Sequence, residues 1–261
     1  QWEGVQANGL PTPVFNFLKR VVLFLVSSAL GDSIKMQASA MNDAGMLSQL
    51  KEKQVTEAVN KQFDRLFESN KINTLLRQAA RNMAVDGDGC FYVYFDPDKP
   101  SGQFVPGDIR VELVENTRVF FGNPNDRSVA AQPWILIASR EPVHSVARRA
   151  KKHKGEDAGV RADTENTGRD ICKDEKCTVL IKFWRADNGD IHAFECTRDA
   201  VVRRAWNTGL KLYPVIWASW DYVRDCYHGQ AAVTGLIPNQ IFVNKLFAMA
   251  MISLMTTAYP K

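Results

Sequence analysis

Helical and extended patterns occupy separate blocks of this chain. Apolar residues run at helical spacing from Pro13 to Leu30. Pro11 and Pro13 suit a helix start, and Gly31 suits its end. Ser33 to Ala38 alternates Ile34, Met36 and Ala38, the period of a short strand. A long helical region follows from Asp43 to Val85, marked by Leu47, Leu50, Val55, Val59, Phe63, Leu66 and Phe67, with a break expected between Asn70 and Asn73. Asp86-Gly87-Asp88-Gly89 stops it and Cys90 to Phe95 reads as a strand; Asp96 to Gly102 is rich in turn residues. Ile109–Leu113, Arg118–Phe121 and Trp134–Ala138 read as further strands, Pro142–Lys154 as a short basic helix, and 155–175 as a polar surface loop. Thr178–Arg185 and Ile191–Cys196 flank Asp187-Asn188-Gly189-Asp190. A two-residue type I′ Asn-Gly turn there sets Arg185 opposite His192 and Ile181 opposite Cys196. Ala200–Arg204 and Val215–Ala218 add two strands, and 230–257 reads as a helix broken or kinked at Pro238.

Long helices, then a strand-rich middle, then a long helix make an α+β fold with a mixed or antiparallel sheet region, not a βαβ alternation. Composition agrees: 45% of the 261 residues are apolar and 24% charged, which excludes a disordered, collagen-like or disulfide-miniprotein chain. The net charge of +4, from 33 Lys+Arg and 29 Asp+Glu, is too weak to identify a nucleic-acid binder. Five scattered cysteines read as reduced thiols of an intracellular product. The chain opens on Gln1, and the expectation is that it is processed, trimmed or an excerpt.

Candidate chemistry is sparse. Cys172, Cys177, His192 and Cys196 have loose zinc-ligand spacing. The hairpin opposes that reading, because it sets Cys177 eight strand positions from the residue facing His192. At ~3.3 Å per residue that is more than about 25 Å. Asp86-Gly87-Asp88-Gly89 has Phe91 and Pro97 where a calcium loop needs Gly and Glu, so it reads as a helix stop. Cys226 and His228 lack a third orienting group. GxSxG, HExxH, Walker A and GxGxxG motifs are missing, and the expectation is a non-enzyme with no cofactor and no small-molecule substrate. Arg148, Arg149, Lys151 and Lys152 form a basic patch, read as a solvated or contact surface with no aromatics nearby to stack bases.

The last helix carries the most information. Ile241 to Ala258 is apolar on most sides, with Asn239, Gln240, Asn244 and Lys245 as its polar interruptions. Such a helix must be buried in a core, in a subunit interface or, as an alternative, in a membrane that it anchors.

Several ordered segments resemble the portal proteins of tailed phages. They are Trp2 with Asn8–Lys19; the helix ending in Asp86-Gly87-Asp88-Gly89 before the aromatic strand Phe91–Phe95; Val114–Pro124, similar to the family's strand into a GxP turn; and Trp134-Ile135-Leu136 with the helix after Pro142. The most specific block is the last: Tyr213-Pro214-Val215, Tyr227-His228-Gly229, Thr234–Gln240 and Asn244-Lys245-Leu246. The resemblance implies a wing-like domain over 1–228 and a helix over 229–261 leading into a stem, with the clip, the rest of the stem and the crown outside this chain. It implies a structural subunit of a homo-oligomeric, typically dodecameric ring at one capsid vertex, made in the bacterial host cytoplasm and carried in the virion. Such a ring is a conduit for non-specific passage of double-stranded DNA. It docks terminase through the clip, and contacts major capsid and scaffold proteins and later head-completion or adaptor proteins. On this reading Phe242, Leu246, Met249 and Ile252 pack between subunits, and Lys245 takes a channel-facing or intersubunit ion-pair role.

Overall fold

The computed structural model describes residues 12–31, 34–39, 46–97, 99, 106–163 and 175–257. In chain order the elements are α1 (Phe17–Ala29), α2 (Met46–Ser69), α3 (Ile72–Asp86), β1 (Asp88–Asp96), β2 (Asp108–Val114), β3 (Val119–Phe121), β4 (Trp134–Pro142), α4 (Val143–Lys152), β5 (Lys176–Arg185), β6 (Ile191–Cys196), β7 (Val201–Asn207), β8 (Val215–Ser219) and α5 (Ile237–Thr257). The fold is α+β. Its contacts divide into two compact units: a helical one of 1–88, 219–222 and 229–261, and a sheet-based one of 89–218 and 223–228. This grouping differs from a boundary at 228/229, because α5 shares its contacts with α1.

In the helical unit α1 packs on α3 and α5, and α2 on α3. The buried face of α3 is made of Ala79, Ala80 and Ala84, small enough for close helix approach, and Ala84 joins Val22 and Val233 in a compact apolar cluster. The expected break between α2 and α3 is present: Lys71 takes a left-handed conformation with φ 51°. Asp43, where the helical region was expected to begin, lies outside the described residues.

Two expectations fail in this unit. Residues 34–39 form no strand; Ala38 instead exchanges backbone hydrogen bonds with one helix side chain, its N–H donating to Asn60 Oδ1 (2.8 Å) and its carbonyl accepting from Asn60 Nδ2 (3.3 Å). Alternation alone cannot make a strand without a partner strand. Pro238 does not kink a helix either. It sits in the first turn of α5, where its missing N–H is not needed, after a short 3-10 turn at Thr234–Leu236.

Gly87 ends α3 at φ 96°, its N–H donating to Met83 O (3.0 Å) while its carbonyl accepts from Trp220 N–H (2.8 Å). A Cβ there would collide with the Gly229 carbonyl. The next residue, Asp88, is buried, and its Oδ1 accepts from Ser219 Oγ and from Gly229 N–H, both at 2.8 Å. The carboxylate of the Asp-Gly-Asp-Gly run therefore ties together backbone segments.

The sheet-based unit holds a three-stranded sheet of order β2-β1-β8 and a five-stranded antiparallel sheet of order β3-β4-β5-β6-β7. Strict alternation along β3 to β6 sends Val119, Phe121, Ile135, Ile137, Phe183, Ile191 and Ala193 to one face. There they meet Cys90, Tyr213 and Val215 in the main core. On the same face Val146 and Ala150 of α4 cover Cys177, Val179 and Val202. Burial pushes the Cys90 thiol up to about 12, so it behaves as a core residue.

The hairpin exists, but its register is one residue off the expected one: Trp184 faces His192, Arg185 faces Ile191 and Leu180 faces Cys196. Only Gly189 has positive φ (84°), so Asn188 cannot complete a type I′ turn. Instead Gly189 N–H donates to Ala186 O and Ala186 N–H to Asp190 O, both at 2.9 Å, which closes a three-residue loop with glycine in the left-handed position.

The two left-handed glycines should respond differently to alanine. Gly189 has open space around it, so Gly189→Ala should cost only the backbone penalty, about 1–2 kcal/mol. Gly87→Ala adds a backbone clash and should cost upward of about 3 kcal/mol. Urea unfolding would measure both, and equal losses would contradict the described approach of Gly87 to Gly229.

Candidate functional site

The sequence reads α5 as an apolar helix with a few polar interruptions. The structure reverses which side is inside. Its fully buried residues are Gln240, Asn244 and Ala248, one stripe at i, i+4 and i+8. Phe242, Leu246 and Met249 lie on the opposite side at ~100° per residue and are 61%, 44% and 56% exposed. Ile252, on the flank, is half-buried; from Met249 to Thr257 it is the one residue not exposed. Phe247, against Phe15, and Leu254 are exposed on the flank of the stripe, and Met255 is exposed on its line beyond Ala248. Lys245 is exposed, so in the single chain it carries no burial penalty.

The buried stripe is polar because of what it meets. The first N–H groups of any helix lack intrahelical acceptors. At the start of α1, Gln240 Oε1 accepts from Phe17 N–H (2.8 Å) and Leu18 N–H (3.2 Å), while Asn16 Oδ1 accepts from Lys19 N–H (3.0 Å). Gln240 Nε2 donates to the Phe15 carbonyl and to Asn244 Oδ1 (3.3 Å), and Asn244 Oδ1 also accepts from Phe15 N–H (3.1 Å). Phe15 and Phe247 stand with ring centroids 4.4 Å apart beside these bonds. The positive end of the α1 dipole faces two amide oxygens, a favourable arrangement out of water. The sequence marks these amides only as polar interruptions of an apolar helix. The signal for their actual role is a pair of amides at i and i+4 in an otherwise apolar helix.

The basic patch on α4 divides. Arg148, Lys151 and Lys152 are exposed. Arg149 is not part of that surface: it pairs with Glu141 (2.9 Å) and with the buried Glu195 (2.7 Å). Its position on α4 turns it over the same sheet face that Val146 and Ala150 cover. Burial alone would lower the Arg149 pKa, but its bond to Glu141 and the charges of Glu195 and Glu141 outweigh this and raise it. Burial raises the Glu195 carboxyl above the ordinary range, with Arg149 opposing the rise.

The cysteine and histidine set stays apart. Cys172 lies outside the described residues. Cys177 stands seven positions from Trp184, the residue facing His192, which is about 23 Å along β5. His228 packs on Trp217 and Tyr227, with centroids 5.7 and 3.9 Å away. Tyr227 in turn donates its N–H to Pro124 O (3.0 Å) and accepts from Trp217 Nε1 (3.0 Å) through its carbonyl.

Comparison with protein-family models gives no match, and comparison with curated proteins gives none either.

Two predictions follow from these polar contacts. Gln240→Leu keeps the size of the side chain but takes the acceptor from Leu18 N–H and leaves Phe17 N–H and the Phe15 carbonyl only their bond to each other (3.1 Å). It should cost about 2–3 kcal/mol in denaturant unfolding. No loss, or a gain, would contradict the capping role. Arg149→Ala should cost about 2 kcal/mol at pH 7, less than the roughly 3–5 of a fully buried pair because Arg149 is 32% exposed. A raised carboxyl pKa favours the fold most below the unfolded value of about 4.3 and loses that contribution as pH rises through the folded value. The Arg149→Ala penalty should therefore shrink near pH 4, where Glu195 is protonated. A penalty independent of pH would sink the pairing.

Proposed function

We propose that this chain is a subunit of a phage portal ring, its sheet-based unit belonging to the wing and α5 leading into the stem. The observation that carries the reading is the outward apolar side of α5. Covering Phe242, Leu246 and Met249 would contribute roughly 5 kcal/mol or more at about 1.5–3 kcal/mol each. Association costs about 4–15 kcal/mol in lost freedom, so one such contact is marginal. A closed ring gives every subunit two contacts and avoids an open, growing filament. The segments that carry the portal resemblance also have definite structural work: Asp88 bonds Gly229, Pro124 bonds Tyr227, and Pro214 O accepts from Val93 N–H. Terminase, capsid, scaffold, head-completion proteins and passing double-stranded DNA are the partners of this reading.

A second reading has its own support. Thr234–Thr257, 24 residues, is long and apolar enough to cross a membrane by length and composition. Gln240 and Asn244 fit it less well, since they are engaged with α1 and hold the first half of the helix against protein.

Electron microscopy of the full-length protein at several salt concentrations should show closed rings. The triple variant Phe242→Ser, Leu246→Ser, Met249→Ser should abolish them while leaving the helical circular dichroism unchanged, because these positions are exposed in the single chain. Monodisperse monomers of the unaltered protein would overturn the proposal, and flotation with liposomes would favour the membrane reading.

A further inference from the structure

The five-stranded sheet has a second face that the functional reading above does not use. Its core-facing positions are covered by the main core and by α4; the alternate positions are half-buried or exposed. The solvent face of an antiparallel sheet is ordinarily polar. Here one row across three strands is Trp134, Trp184 and His192, each directly opposite the next. The adjacent row, about 6.6 Å along the strands, is Phe120, Leu136, Lys182 and Phe194. The Trp184 and His192 rings lie 5.9 Å apart, and Lys182 Nζ stands 5.6 Å from the Trp134 ring centre.

Among the described residues the charged strand positions on this face of β4 to β6 are basic, and Asp163 reaches its edge at Thr178, opposite Arg140. Arg140, Lys176 and Lys182 occupy it. The carboxylates at paired positions of β4 to β6, Glu141 and Glu195, are on the opposite face with Arg149. At the margins, Asp163 accepts from Thr178 Oγ1 (2.6 Å), and Asp190 accepts from the amides of Asn188 and Asn207. Flat, half-exposed rings beside cations suit a polyanion that carries flat groups.

The geometry points to single-stranded nucleic acid as the occupant of this face, two or three bases stacking on the Trp134–Trp184–His192 and Phe194 rows while Lys182, Arg140 and Lys176 meet phosphates. Sheets that stack bases on exposed aromatic rows use the same physics. The inference is independent of the ring reading, since it needs neither α5 nor a second subunit.

The test is a fluorescence-anisotropy titration of a labelled oligothymidylate of about 15 nucleotides with the full-length protein, at ~50 and ~200 mM salt. Micromolar binding that weakens with salt is expected, with quenching of tryptophan emission. Trp184→Leu should weaken it about tenfold, as loss of one stacking platform does. Lys182→Ala, at an exposed position that leaves the fold intact, should weaken it severalfold, and Lys151→Ala on α4 should change it less than about twofold. Absence of binding up to about 100 µM would overturn the inference. So would equal effects of Lys151→Ala and Lys182→Ala with Trp184→Leu silent, which is charge attraction alone. Light scattering in which Trp184→Leu breaks up an assembly would assign the face to a second copy instead.

Discussion

Gln240 and Asn244 hold the start of α1 through amide oxygens that accept the N–H groups a helix start leaves over, and much else follows from that contact. Both amides are almost fully buried, and each is matched to backbone, so burial does not leave a polar group without a partner. Two apolar helices could slide or rotate against each other at little cost. A helix end seated on two amides cannot, because a turn of α5 by one residue would orphan the α1 N–H groups. The rotation of α5 is thereby set, and its apolar side must face away from α1.

With Gln240 and Asn244 engaged inside, the outer side of α5 presents Phe242, Leu246 and Met249 among the polar Asn239, Lys245 and Ser253. That is unstable exposure for a lone chain and a ready surface for assembly. The sheet-based unit shows the opposite economy. Its inner face is close-packed, and the buried carboxylate of Glu195 meets the guanidinium of Arg149, a residue that by sequence belongs to an exposed basic run. In both units a polar side chain that spacing would place on the surface turns out to organise the interior.

Local pattern made most elements legible: the α2–α3 break, the β1 strand after Gly87, the alternating strands and the hairpin all lie where period and turn residues put them. What was not legible depends on contacts far apart in sequence. Among the described residues the 34–38 alternation pairs with no strand, and Ala38 meets Asn60 instead. The hairpin register hinges on whether one or two loop residues take positive φ, and Asn188 permits either. Gln240 and its acceptor work at Phe17 are separated by 223 residues, so no window of sequence contains both. The aromatic rows of the outer sheet face become visible only once three strands are set side by side in register.

The central claim is that the apolar side of α5 faces outward in one chain and is covered in the assembly. Methionine oxidation reads this directly, because Met249 lies on that side, 56% exposed, and a thioether reacts only where peroxide reaches it. Peptide mass spectrometry after brief peroxide treatment should find Met249 oxidised rapidly in dilute, dissociated protein and protected in the assembled form. Protection in the dissociated chain, or equal rates in the two states, would contradict the account.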